Sequence, residues 1–390
     1  MNRQRKKTLA VASSVIFLDM IGYGIVIPIL PIYAQNLGAS EEKIGFLFAS
    51  YSLVLILTLL PFGMMVDRYG KKPFVVGGMS LLSLSSVLYA TSRSLSQLTL
   101  SRMVQGLSAS LTWAAALPLA AEASDETKRG LEMSAITVAT GLGTILGPVV
   151  GGLGCIQTPF YLCAISSSVV CILALFLLKE SEHERKYFKL WEKLTRIARK
   201  GKVQAACIGV SFLYFAFGML EVLFPLYMAS HHYRRTTIGM LFAVLGGSFV
   251  VVQPLIGNWS DRIGRTFPMI LGLSIAAVVL PLPLHLTTLL SWIGFFILLG
   301  LAGAAIFTPS YPLIADAVRP NEQGIAYALN SWVFSVGYLI GPWVGGTLAG
   351  TFGMRMPFYL CSALLLGGAF GIFFVTRKEG IGSVNRDDMR

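Results

Sequence analysis

Twelve stretches of 18 to 27 residues that carry almost no charge fill most of this chain: 9–33, 44–66, 74–91, 95–121, 131–153, 160–178, 203–229, 238–259, 267–285, 290–315, 325–350 and 358–375. About 20 apolar residues in a helix span a hydrocarbon core about 30 Å thick. The expected fold is therefore an all-α membrane protein with twelve transmembrane helices. Hydrophobic residues make up 55% of the chain and charged residues 13%, with a mean hydropathy of +0.70. So little charge does not cover a globular surface, which excludes a soluble enzyme.

An even number of spans puts both termini on one side, and the basic residues select it. With the termini in the cytoplasm, 25 of the 31 Lys and Arg fall on that face, while Lys43, Arg93, Arg234, Arg235 and Arg355 fall outside and Arg102 lies within a span. This bias predicts a multi-pass protein of the plasma membrane with cytoplasmic ends. It also accounts for the net charge of +12 through anionic lipid head groups, without nucleic acid. The basic start, Arg3 to Lys7, followed by an apolar run, mimics a secretory signal. The run is too long for one, carries Asp19 at its middle and lacks a small-x-small cleavage site, so a retained first span is expected. Five cysteines without a CxxC pair suggest neither disulfides nor a metal site.

The chain also repeats itself. Residues 63–70 read GMMVDRYG and residues 257–264 read GNWSDRIG, 194 positions later. The same offset of 194 aligns 44–49 with 238–243, 31–33 with 225–227, 118–122 with 312–316, and Gly147, Pro148 and Gly151 with Gly341, Pro342 and Gly345. Each repeat holds six spans, so two pseudo-symmetric six-helix bundles in the same orientation are expected, at 1–178 and 203–390. Parallel repeats of this kind are a transporter plan with the substrate site near the midplane. The linker, 179–202, sets Tyr187, Leu190, Trp191 and Leu194 among basic residues, a pattern for a short amphipathic helix on the inner surface.

Two motifs carry a family resemblance. The loop Gly63-x-x-x-Asp67-Arg68-x-Gly70-Lys71-Lys72, with its second copy at Gly257, resembles the signature of the major facilitator superfamily. Gly143-x-x-x-Gly147-Pro148-x-x-Gly151 in span 5 resembles the motif of that superfamily's drug:proton antiporters. The resemblance implies gating by charged groups at the inner helix ends: Asp67, Arg68, Lys71 and Glu122 in the first repeat, with Asp261, Arg262 and Asp316 in the second. Gly70 allows the tight turn that this loop needs. Gly143, Gly147 and Gly151 read as helix-packing positions, as do Gly341 and Pro342, because small residues let helices approach closely and Pro148 lies within a span. No GxxxxGK[ST] sequence occurs, so energy is expected from a gradient and not from ATP.

Ionisable residues deep in the spans are few. Asp19 lies about ten residues into span 1, about 15 Å deep, Glu221 lies in the outer half of span 7, and Arg102 lies inside span 4. An ionisable residue at a helix centre costs about 2.5 to 3.5 kcal/mol on insertion scales, which marks a functional position. The structural alternative for Asp19 is pairing with another group, Arg102 for instance. Burial favours the neutral acid and a bound cation favours the carboxylate, so a proton and an organic cation compete for Asp19 and Glu221. Arg102, with Gln105 and Gly106, resembles another antiporter motif and reads equally as a coupling or a structural group. Phe17-Leu-Asp19 with Pro28 and Pro31, and Met219-Leu-Glu221 with Pro225, are similar to spans 1 and 7 of monoamine transporters, and the first also to tetracycline pumps. Phe334 and Tyr338 resemble aromatic positions of their span 11. Tyr23, Trp113, Tyr214, Phe215, Tyr311 and Trp332 are further candidates to face a flat cation. The acids that monoamine transporters carry in spans 10 and 11 are missing; residues 301–306 and Ser331 stand there.

Together these features predict a monomeric antiporter without cofactor or metal. It would export lipophilic cationic aromatic compounds in exchange for protons. A sugar or metabolite facilitator of the same fold is the alternative, although the spans hold few Asn, Gln and Arg. A membrane-embedded enzyme would need a nucleophile with a base or a metal cluster, and all four histidines, at 183, 231, 232 and 285, lie in loops or at a span end.

Overall fold

A computed structural model of the chain describes residues 3–124, 129–179, 190–319 and 322–387. They form α1 (Arg3–Asn36), α2 (Glu41–Tyr69), α3 (Lys72–Thr91), α4 (Leu95–Ala123), α5 (Arg129–Gly152), α6 (Thr158–Leu177), α7 (Leu190–Ala198), α8 (Gly201–Ser230), α9 (Arg235–Ile263), α10 (Thr266–Val279), α11 (Leu289–Ala315), α12 (Gln323–Phe352) and α13 (Arg355–Asp387). Eleven of these helices are long and apolar enough to cross a membrane. The exception at the expected ninth span is α10, whose 14 residues reach only about 21 Å. Pro281 and Pro283 cannot donate into a helix ladder, and the chain continues there as a 3-10 turn over Leu282–His285.

The repeat is written into the helix ends. α1 and α8 stop 194 positions apart, at Asn36 and Ser230; α2 and α9 both start and stop 194 apart. Ser94 caps α4 by accepting from the Gln97 N–H, and 194 positions on Thr288 caps α11 by accepting from Ser291, both at 3.3 Å. Such caps satisfy an otherwise orphaned helix donor. Gly70 and Gly264 follow α2 and α9 with φ of 88° and 93°. A side chain is strained in that region, so the turn is built for glycine.

The packing falls into two compact units, residues 1–187 with 221–243, and residues 188–220 with 244–390. In the first unit, α5 lies against α1 through the expected glycines. A Cβ on Gly147 would sit 2.8 Å from the Gly24 Cα, and one on Gly151 would sit 2.5 Å from the Ile25 carbonyl oxygen. Gly143 meets the Phe17 carbonyl and Met20 in the same way. The second unit repeats the device. Cβ atoms on Gly337 and Gly341 of α12 would collide with the Ser211 and Phe215 carbonyls of α8, and one on Gly218 would reach the Pro342 ring at 2.8 Å.

Within the expected linker, Leu190–Ala198 forms α7, with Ile197 fully buried. Arg196 pairs with Glu322, and the Lys200 ammonium donates to the Ala317 carbonyl at 2.6 Å. Tyr187 and the Trp191 side chain lie outside the described residues.

Candidate functional site

Asp19 is buried on α1, 3% exposed. Two consecutive residues of α4 hold its carboxyl group. The Trp113 indole N–H donates to Oδ2 at 2.9 Å, and the Thr112 hydroxyl donates to Oδ1 at 3.2 Å. Among the described residues no ion pair joins Asp19 to Arg102 or to any other base. Trp113, a candidate pocket wall by sequence, is thus a hydrogen-bond donor to the acid.

This arrangement has a chemical consequence. An indole N–H can only donate, so Oδ2 remains an acceptor whether the acid is charged or neutral. A hydroxyl can donate or accept. When Asp19 takes up a proton, the proton therefore belongs on Oδ1, and the Thr112 hydroxyl turns to receive it. Neutral partners accommodate both protonation states, whereas a permanent cation would hold only one.

Glu221 lies on the part of α8 that packs within the first unit and is 7% exposed. The Tyr23 hydroxyl donates to its Oε2 at 2.6 Å. Tyr23 follows Asp19 by one helical turn and shares its face of α1. Its ring lies 5.0 Å from the Arg102 guanidinium, which also faces Phe48 at 5.0 Å and Tyr51 at 4.5 Å. Arg102 is 1% exposed, and its Nη1 donates to Gln105 Oε1 at 2.8 Å. The same oxygen accepts from the Tyr89 hydroxyl at 3.0 Å. A buried guanidinium needs such compensation, and a desolvated cation–π contact contributes about 2 kcal/mol. Tyr23 thus touches the arginine with its ring and Glu221 with its hydroxyl.

The second unit gathers aromatic rings around Tyr214 of α8. Phe334 and Tyr338 of α12 lie 4.7 and 5.4 Å away between centroids, and Phe307 of α11 lies at 6.3 Å. Phe307 in turn meets Tyr311 at 5.6 Å. Two of the sequence candidates stand apart: Phe215 presents its backbone to Gly341, and Trp332 is 42% exposed.

At the helix ends the charged signature forms ion pairs in both repeats. Lys71 pairs with Glu122, and 194 positions on Arg265 pairs with Asp261 and, at 3.1 Å, with Asp316. Arg265 takes the position expected for Arg262, which is exposed and makes no ion pair among the described residues. Arg68 lies over the Tyr69 ring at 5.2 Å, and the Asp67 side chain lies outside the described residues.

A sequence profile described as Major Facilitator Superfamily matches residues 12–234 and again residues 206–388. The chain belongs to the major facilitator superfamily. Within it, Multidrug resistance protein 1 of Bacillus subtilis (strain 168) is 25% identical over 379 residues, covering 93% of this chain and 94% of the relative. Quinolone resistance protein NorA of Staphylococcus aureus (strain MRSA252) is 25% identical over 384 residues, covering 96% of this chain and 97% of the relative. Among solved structures, a bacterial homolog of the human lysosomal transporter Spinster superposes with a TM-score of 0.81 at 15% identity, over 97% of this chain and 98% of the other. The nucleoside transporter NupG gives a TM-score of 0.81 at 13% identity, over 94% and 99%. At these identities the two structures share the fold alone. The protein is a multi-pass membrane member of the superfamily.

Sequence reasoning missed Thr112, Phe48, Tyr51, Tyr89 and Phe307 at these sites. Thr112 adjoins Trp113, and Phe307 lies one helical turn before Tyr311, both candidates by sequence, but spacing alone names no partner.

Proposed function

We propose that this superfamily member is a proton-coupled multidrug antiporter of the plasma membrane, with both termini cytoplasmic. It exports lipophilic cationic aromatic compounds by alternating access between two bundles, residues 1–178 and 203–390, joined by the linker at 179–202. The observation that carries the reading is the pair of buried carboxyl groups, Asp19 held by the neutral donors Trp113 and Thr112 and Glu221 held by the Tyr23 phenol. Such groups bind a proton or an organic cation but not both at once. The rings around Tyr214 offer faces to a flat substrate. The multidrug and quinolone resistance relatives support the substrate class. The ion pairs at Lys71 and Arg265 are suited to lock and release the helix ends during switching.

The cycle follows from competition. A cation entering from the inside displaces the proton, the loaded protein reorients, and the proton that returns from outside releases the cation. Each elementary charge moved across 100 mV adds about 2.3 kcal/mol.

Proteoliposomes with an acidic interior test this reading. Protons leaving the vesicle are expected to drive tetraphenylphosphonium uptake, and Glu221→Gln is expected to reduce that uptake at least tenfold. Uptake that persists unchanged in Glu221→Gln, or that ignores the pH gradient, would contradict the reading.

A further inference from the structure

The second unit contains a polar group that the antiport scheme leaves unused. Asn330 of α12 is 0% exposed, and among the described residues neither its amide nitrogen nor its amide oxygen has a well-aligned hydrogen-bond partner. An amide side chain donates through its nitrogen and accepts through its oxygen, and buried groups of this kind are almost always bonded. An asparagine with neither amide atom in a well-aligned bond marks a place that a ligand can complete. The Tyr311 hydroxyl interacts with the Asn330 and Ser331 side chains, but it is not aligned for a full hydrogen bond to the amide. The Thr308 hydroxyl, on the same helix as Tyr311, is buried and has no partner among the described residues.

The location of Asn330 gives the orphaned amide a use. Asn330, Phe334 and Tyr338 follow one another at four-residue steps and share a face of α12. Phe334 and Tyr338 flank Tyr214, Phe307 links Tyr214 to Tyr311, and Tyr311 meets Tyr327 at 5.3 Å. The rings form a continuous row, and the amide stands beside Tyr311 at one end of it.

The geometry points to Asn330 as a specificity-determining residue that reads a carboxamide or similar donor–acceptor group on a flat aromatic substrate lying along the ring row of Tyr214, Phe334, Phe307 and Tyr311. This inference rests on the reading of the protein as an exporter of aromatic compounds and narrows its substrate class. Because Asn330 has no exposed surface, side chains of the row must part before a ligand reaches it. Its amide has already lost its water, so the ligand gains the hydrogen bonds without a further desolvation cost at the protein. A site of this kind rejects analogues that cannot make the bonds more strongly than it rejects differences in apolar bulk.

A matched pair of aromatic cations isolates the effect: 1-benzylpyridinium and 1-benzylnicotinamide, which differ only by a ring carboxamide. Binding to the purified full chain is expected to favour 1-benzylnicotinamide at least tenfold. Asn330→Leu, an apolar residue of similar size, is expected to bring the two within about twofold by weakening the carboxamide compound, and Asn330→Ala is expected to do the same. The thermal midpoint of Asn330→Leu is expected to hold or rise, because two orphaned groups are removed. Failure of Asn330→Leu to fold would mean that the amide is bonded within the chain and would overturn the inference. So would a tenfold preference that survives both substitutions, or equal binding of the two cations by the unaltered protein. Equal binding leaves the antiport reading standing, whereas binding of neither cation defeats that reading and this inference together.

Discussion

Asp19→Asn is expected to abolish pH-gradient-driven transport, with at least a hundredfold loss of rate, while the protein folds normally. An amide reproduces both native contacts: its oxygen accepts from the Trp113 indole and its nitrogen donates to the Thr112 hydroxyl. What the amide lacks is a site that gains and loses a proton. Asp19→Ala removes the acceptor instead and leaves the indole N–H of the half-buried Trp113 without its partner, a cost of about 1 kcal/mol. The contrast separates chemistry from architecture. Transport is lost in both variants, but only Asp19→Ala lowers the thermal midpoint. Counterflow assays on Asp19→Asn, which need no gradient, are expected to retain exchange of the organic cation. A gradient-driven rate in Asp19→Asn within about threefold of the unaltered protein would remove Asp19 from the coupling mechanism.

The second large effect concerns assembly of the helices. Gly341→Leu is expected to reduce the yield of monodisperse protein at least tenfold, and Gly147→Leu to do the same in the other repeat. At both positions the obstacle is backbone, the Phe215 carbonyl for Gly341 and the Gly24 Cα and Ile21 carbonyl for Gly147. A side chain can change rotamer, whereas a helix backbone must move as a whole. Overpacking in a tight core typically costs about 1–3 kcal/mol and more where relaxation is blocked. Gly63 supplies the control, because a Cβ there meets nothing within 4 Å among the described residues. Gly63→Ala is expected to leave the thermal midpoint level or raise it, since alanine is favoured over glycine in a helix by about 1 kcal/mol. Normal yield and thermal midpoint in Gly341→Leu would mean that α8 and α12 do not depend on close approach.

The parts of this molecule legible in the sequence are those set by period and composition. Apolar length foretold the spans, and the loop repeated at an offset of 194 foretold the paired turns at Gly70 and Gly264, whereas the paired caps at Ser94 and Thr288 emerged only in the structure. The family resemblance, carried by the charged loop and the span 5 glycines, agrees with the superfamily profile match. The choice of partner among neighbours was hidden. Arg102 was weighed as a partner for Asp19, yet it faces Tyr23, Phe48 and Tyr51 and donates to Gln105. Helical spacing fixes the face on which a side chain lies, but tertiary packing decides which of several donors on the opposing helix it meets. Trp113 illustrates the point, since an indole serves equally well as an apolar wall or as a donor. Arg265 was legible and overlooked: adding the repeat offset to Lys71 leads to it, although the Asp-Arg dipeptide drew attention to Arg262. Asn330 gave no sequence signal, because a lone amide in a span is ordinary until its partners are known to be absent.

The central claim is that one organic cation and one proton compete for the same buried carboxyl groups. Proton release on binding measures that competition directly, with tetraphenylphosphonium added to purified protein in weakly buffered solution containing a pH indicator. Saturating cation is expected to release close to one proton per chain, and affinity is expected to fall as the solution is made more acidic, by up to about tenfold per pH unit where the carboxyl groups are protonated. The Asp19→Asn, Glu221→Gln double variant is expected to release none. Tight binding of the cation without any proton release, or release undiminished in the double variant, would contradict the account.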